Sequence, residues 1–192
     1  MTKVGAVILG FCSLAIFMPW VCSGLMKEEE NWSQTLCQRK EKVTKLHFYL
    51  QDLIGGPNKT VYTVAKSELT DSLPSLFGRV LVLDNLITAG PEPDSKKVGR
   101  LQGTVGLSDL HEASLVMLVN VIFTDGKYNG STLSILGRNP LTEKDREISV
   151  VGGTGVFRMA RGYIITRTHS YDGTLGVYEY TVFVSHLEDE AS

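Results

Sequence analysis

The segment Lys45-Leu46-His47-Phe48-Tyr49-Leu50-Gln51-Asp52-Leu53 decides the fold. Leu46, Phe48 and Leu50 recur at every second position, and Asp52 follows in the same phase. A period of two belongs to a strand, because successive side chains of an extended backbone leave opposite faces. If the Leu46 face turns inward, Asp52 stands in an apolar interior. A carboxylate is costly there unless it is paired or put to use.

Working outward, residues 24–45 are polar, with Lys27-Glu28-Glu29-Glu30 and Arg39-Lys40-Glu41-Lys42, and read as an arm before a barrel at 46–187. Downstream, Gly55-Gly56-Pro57-Asn58 is a turn cluster, and Thr60–Ala65 a short edge segment. Leu76–Thr88 reads as a strand whose even positions Val80, Val82 and Asp84 put a second acid in line with apolar neighbours. Further strands are expected at Val98–Leu107, Ala113–Thr124, Tyr128–Leu136, Arg146–Val151, Val156–Thr168 and Leu175–His186. Asp125-Gly126 and Asp172-Gly173 mark hairpins. No stretch has the pattern of an amphipathic helix. Nineteen glycines oppose a helical bundle, since each costs about 1 kcal/mol in a helix interior. The prediction is a single all-β domain of about eight antiparallel strands, enough to close a barrel with a small cavity. Glycines within strands, such as Gly99, Gly103 and Gly162, suit the bends of closure.

Lys3, the apolar run Val4–Phe17, Pro19 and the small residues around Ser23 read as a secretory signal peptide over residues 1–23. The run is shorter than the ~20 residues of a membrane span. The mature chain is therefore expected to be secreted, with no membrane attachment and with Cys37 as its one thiol. Sequons at Asn31, Asn58 and Asn129 agree with that route. Residues 188–192 form an acidic tail. Lys plus Arg number 19 and Asp plus Glu 21, a balance that argues against a polybasic nucleic-acid binder.

No cofactor is called for. Gly152-Gly153-Thr154-Gly155 lacks the Lys-Ser/Thr of a phosphate loop and reads as a tight turn between strands. His47, His111, His169 and His186 are scattered, without metal-ligand spacing. What remains is a polar set on apolar strands: Asp52, Arg79, Asp84, Arg138, Asn139 and Arg146. A carboxyl near an arginine in a low-dielectric cavity can hold a phenol or move a proton. The same residues also fit a buried ion pair or solvent-facing strand ends.

Leu46-His-Phe-Tyr-Leu-Gln-Asp-Leu53 resembles the opening motif of plant dirigent proteins, with Gln51-Asp52 where His-Asp is usual. Matches continue in order through Val82-Leu-Asp-Asn-Leu-Ile-Thr88, Val98-Gly-Arg-Leu-Gln-Gly103 and Phe123-Thr-Asp-Gly-Lys-Tyr-Asn-Gly-Ser-Thr-Leu133. They end with Leu136-Gly-Arg-Asn-Pro140, Arg146-Glu147 and Val151-Gly-Gly-Thr-Gly-Val-Phe-Arg158. The resemblance implies an eight-stranded up-and-down barrel, allene-oxide-cyclase-like, assembled as a homotrimer or other homo-oligomer in the plant cell wall space, the apoplast. It implies a protein without oxidative activity that directs the coupling of phenoxy radicals from monolignols such as coniferyl alcohol. A separate laccase or peroxidase makes those radicals. Some relatives instead handle a quinone methide as lyases or cyclases, as in pterocarpan ring closure.

By the same resemblance, Asp52 and Arg146 take catalytic positions, as proton donor or phenol anchor and as oxygen-binding cation. Asp84, Arg138 and Asn139 are the candidate substrate-binding residues. Asn139 stands where lignan-forming members have a second acid, and Val105 where many carry an aromatic. Those members also pair an N-terminal cysteine with one near the C-terminus. Here the C-terminal stretch reads Ser185-His-Leu-Glu-Asp-Glu-Ala-Ser192, which offers Cys37 no such partner.

Overall fold

The computed structural model describes residues 40–188. The leader, Asn31 and Cys37 lie outside the described residues, as do residues 189–192 of the tail. Nine strands follow in order: β1 (Glu41–Leu53), β2 (Val61–Ala65), β3 (Val80–Thr88), β4 (Lys97–Leu107), β5 (Ser114–Phe123), β6 (Thr132–Pro140), β7 (Arg146–Thr154), β8 (Arg161–Tyr171) and β9 (Leu175–Leu187). All pairings are antiparallel, in the order β1-β9-β8-β7-β6-β5-β4-β3. Tyr49–Gln51 then pair with Thr88–Leu86, which joins β1 to β3 and closes eight strands into a barrel.

β2 is the ninth strand and stands outside that ring. It pairs with β3 at Val61–Ala65 against Leu83–Val80, beyond the point where β1 leaves. The turn cluster at residues 54–60 thus interrupts one edge, and the chain resumes pairing along the same neighbour. Thr60 N–H donates to the Leu53 carbonyl at 2.8 Å, which fixes that detour.

Several boundaries move from those expected. β1 begins at Glu41, because Glu41–Lys45 pair in register with Leu187–Phe183 and so belong to the barrel, not to an arm. β3 begins at Val80: Leu76 and Gly78 both have positive φ, 56° and 81°, which extended backbone does not permit. Gly152 and Gly153 lie within β7, and the turn comes only at Gly155, φ 61°, which opens a short 3-10 segment to Phe157. β6 starts at Thr132, after a similar 3-10 turn at Gly126–Tyr128.

The two ends of the barrel differ. At one end Phe48, Phe123, Tyr128 and Phe157 meet ring to ring, with centroids 4.9–6.5 Å apart. His186 closes this floor: its edge meets Phe157, and its imidazole bonds Thr44 at 2.9 Å. Aromatic packing of this kind excludes solvent and leaves no passage. At the other end the wall side chains stand apart and surround a cavity of about 520 Å³.

Candidate functional site

The cavity is built from the mouth-side ends of the strands. The inward phase of β1 (Leu46, Phe48, Leu50) delivers Asp52 to it, as the alternation requires. On β3, Leu81, Leu83 and Asn85 face the cavity. β6 contributes Asn139, β7 Arg146, β8 Thr166 and Thr168, and β9 Tyr178 and Tyr180. Most of the remaining wall is aliphatic. Among the described residues, Asp52 is the one carboxylic side chain lining it.

Asp52 is largely withdrawn from water, and that burial pushes its carboxyl above the ordinary value, opposed by a hydrogen bond from Asn85. Asn85 Nδ2 donates to Asp52 Oδ1 at 2.6 Å. The Asn85 side chain is itself oriented by Thr60, whose hydroxyl donates to Asn85 Oδ1. One oxygen of Asp52 is thus fixed, while no protein donor among the described residues is recorded at the other. A neutral carboxyl in this setting is a hydrogen-bond donor and a proton source.

Arg146 is 1% exposed, yet among the described residues no carboxylate forms an ion pair with it. Its Nη2 donates to Thr168 Oγ1 at 3.1 Å, and its guanidinium carbon lies 5.6 Å from the centre of the Tyr178 ring. Among the described residues its Nε has no hydrogen-bond partner, and neither does Oδ1 of buried Asn139. A buried polar group left without a partner costs about 1–3 kcal/mol, so in a cavity Arg146 Nε marks a place for a ligand acceptor and Asn139 Oδ1 one for a ligand donor. The Asn139 amide donates only to the Met117 sulfur, at 3.2 Å. Burial, with a smaller contribution from Asp52, pushes the Tyr178 hydroxyl up to about 12. Tyr180 is raised further by its full burial. Both phenols therefore keep their protons and can act as donors.

Two expected site residues are elsewhere. Asp84 points to the outer surface, where Arg100 pairs with it. The reason lies in Val80-Leu-Val-Leu-Asp-Asn-Leu-Ile87: both phases of this strand are apolar, so alternation alone leaves its inward face open. The observed phase places Asn85 inside instead. Arg138 is also on the outer face, bound by Asp109 and Glu112 across the loop between β4 and β5. Asp52, Asn139 and Arg146 are brought together on the cavity wall. Asn58 and Asn129 both lie on exposed turns. Sequence reasoning missed Asn85, Thr168, Tyr178 and Tyr180. Their signal was present only as alternation within each strand, and it became readable once one inward residue of the strand was fixed.

Residues 43–185 match the family model described as Dirigent-like protein. The chain is 45% identical over 153 residues to "Pterocarpan synthase 1" of Glycine max, covering 77% of this chain and 81% of that one. It is 43% identical over 148 residues to "Dirigent protein 11" of Arabidopsis thaliana, covering 77% of each. A solved structure of a pterocarpan synthase dirigent protein superposes with a TM-score of 0.74 at 43% identity, covering 80% of this chain and 90% of that one.

Proposed function

The chain belongs to the dirigent-like family, and from that premise we propose that its cavity takes up a phenolic carbinol and converts it through a quinone methide. The observation that carries this reading is a raised, largely buried carboxyl, Asp52, in one cavity with an arginine that lacks a carboxylate partner. Asp52 gives its proton to the departing hydroxyl, and the carbon–oxygen bond breaks as water leaves. The phenol gives up its own proton, which restores the acid, and Arg146 holds the phenolic oxygen as electron density moves through it. An internal hydroxyl then adds to the electrophilic carbon, the ring becomes aromatic again, and the proton that the hydroxyl loses is returned through solvent to the phenolic oxygen. The net reaction is loss of water with ring closure, and it needs no oxidant. Relatives named pterocarpan synthase, at 45% identity, support it.

A second reading keeps the same cavity but places two phenoxy radicals in it, supplied by a laccase or peroxidase. Its support is the volume: about 520 Å³ lies within the range of pockets that enclose drug-sized ligands. Orientation in such a space replaces random encounter. The two readings separate in one experiment. Protein alone is incubated with a 4-hydroxyisoflavan, and in parallel with coniferyl alcohol plus laccase, and products are resolved on a chiral column. Dehydration without oxidase supports the first reading. Enantiomeric excess only with laccase supports the second. Racemic coupling together with no dehydration overturns both.

Secretion to the apoplast, glycosylation at Asn58 and Asn129, and a homotrimer complete the proposal. The outer face supports self-association: exposed Val82, Leu118 and Leu136 sit in one cross-strand row, joined through Thr104.

A further inference from the structure

Among the described residues, Arg79 is the one charged side chain lining the cavity that neither reading employs. It stands one residue before β3 and lines the cavity. Its backbone is pinned from both sides. The Arg79 carbonyl accepts from Leu107 N–H at 2.9 Å, and the preceding Gly78 N–H donates to the Leu107 carbonyl at 2.8 Å. Behind it the rim is tied down by Ser67 and Thr70, whose hydroxyls donate to the Phe77 carbonyl at 3.0 and 2.8 Å.

Among the described residues the side chain is held by one hydrogen bond, from Nε to Thr63 Oγ1 at 2.9 Å. No ion pair is formed by Arg79 among the described residues, and its two terminal nitrogens have no recorded protein partner there. Of the other described arginines, Arg158 is exposed and outside the cavity, while those at 100, 138, 161 and 167 each lie against a carboxylate. Arg79 resembles Arg146 in lacking one. In the ring of eight strands, β3 and β7 are four steps apart in either direction. The two guanidinium groups therefore come from opposite walls of one cavity, Arg146 buried and Arg79 at the rim. With a single carboxyl among the lining residues, the cavity carries net positive charge whichever way Asp52 titrates.

We propose that Arg79 is a specificity residue that binds the carboxylate of a phenolic acid at the mouth, while the phenolic end lies deeper beside Arg146. This rests on the cavity being the phenol site, and it adds a rank order within that class: phenols carrying an anionic tail bind more tightly than neutral ones of the same size. A guanidinium with both terminal nitrogens free can meet a carboxylate with two parallel hydrogen bonds, which gives direction as well as charge. A neutral alcohol in the same place offers one uncharged oxygen and cannot match the fork with two parallel bonds.

The test is equilibrium binding, followed by quenching of protein fluorescence, of ferulic acid and coniferyl alcohol, which differ at the tail. Wild-type protein is expected to bind ferulate about tenfold more tightly, equivalent to about 1.4 kcal/mol. That ratio should shrink as salt is raised, because the rim cation is partly solvated. Arg79→Gln should bring the ratio within about twofold, with the loss falling on ferulate, and Arg79→Lys should retain part of it. Equal wild-type affinities, a salt-insensitive ratio, or a preference that survives Arg79→Gln would overturn the proposal. Because the readout is a binding ratio and not turnover, failure here is distinct from failure of the dehydration reading, which appears as unconverted carbinol.

Discussion

Asp52 shows what one side chain costs and contributes. Its carboxyl is raised in the folded protein by burial, so the folded state holds its proton more tightly than the unfolded chain does. Below the ordinary value of 3.8 both states are protonated and the residue has no pH-dependent effect on folding. As pH rises through that value toward the raised one, the unfolded chain ionises first, and stability falls. Asp52→Asn keeps an oxygen for the Asn85 amide and removes this penalty. The variant is expected to melt at a higher temperature than wild type at pH 7, with the gain vanishing near pH 3.5, while dehydration slows by about 10²–10⁴-fold. Thermal melts at the two pH values, paired with product assays, check both halves; a variant less stable at pH 7 contradicts the assignment. The inward position of Asp52 was legible from Leu46, Phe48 and Leu50 alone. Its hydrogen-bond partner was not, because Asn85 sits on a strand whose two phases are equally apolar, and adjacent Asp84 competed for the same role.

Among the elements, the strands were more legible than their ends. Periodicity located all the barrel strands, but β1 reaches back to Glu41 through polar residues that its pairing with β9 recruits. Long-range pairing of that kind leaves no local signal. Gly78 is a counterexample, where local geometry dictates the residue. Its φ is 81°, and a Cβ there would come within 2.3 Å of Ser67 Oγ, the same hydroxyl that secures the rim. Gly78→Ala is predicted to cost about 1–3 kcal/mol and to loosen the mouth. Gly162 constrains the wall instead: an added Cβ would meet the Phe183 carbonyl at 2.0 Å, across the β8–β9 ladder. Urea titration should show both variants destabilised. Amide exchange should show the loss spread along β8 and β9 for Gly162→Ala but concentrated at residues 66–79 for Gly78→Ala.

For the molecule as a whole, stability and binding occupy opposite ends. Phe157 is fully buried in the aromatic floor. Phe157→Ala is expected to cost about 3–5 kcal/mol, read as a large drop in melting midpoint, while the affinity of the remaining folded protein for a phenolic probe changes little. A loss of affinity equal to the loss of stability would show that floor and cavity are one unit. The outer row at Val82, Leu118 and Leu136 belongs to this scale too. Light scattering should give a trimer for the wild type and a smaller species for Leu118→Glu, and a monomeric wild type would remove the self-association proposal.

The solid floor has a further consequence for traffic. A vessel open at one end admits no flow-through, so a guest must enter leading end first and back out the way it came. If two molecules are ever held together, the first in sits beneath the second and cannot exchange until its lid-like companion departs. Order of arrival is then fixed by shape, and an inhibitor too long to turn around inside would be trapped in whichever direction it entered.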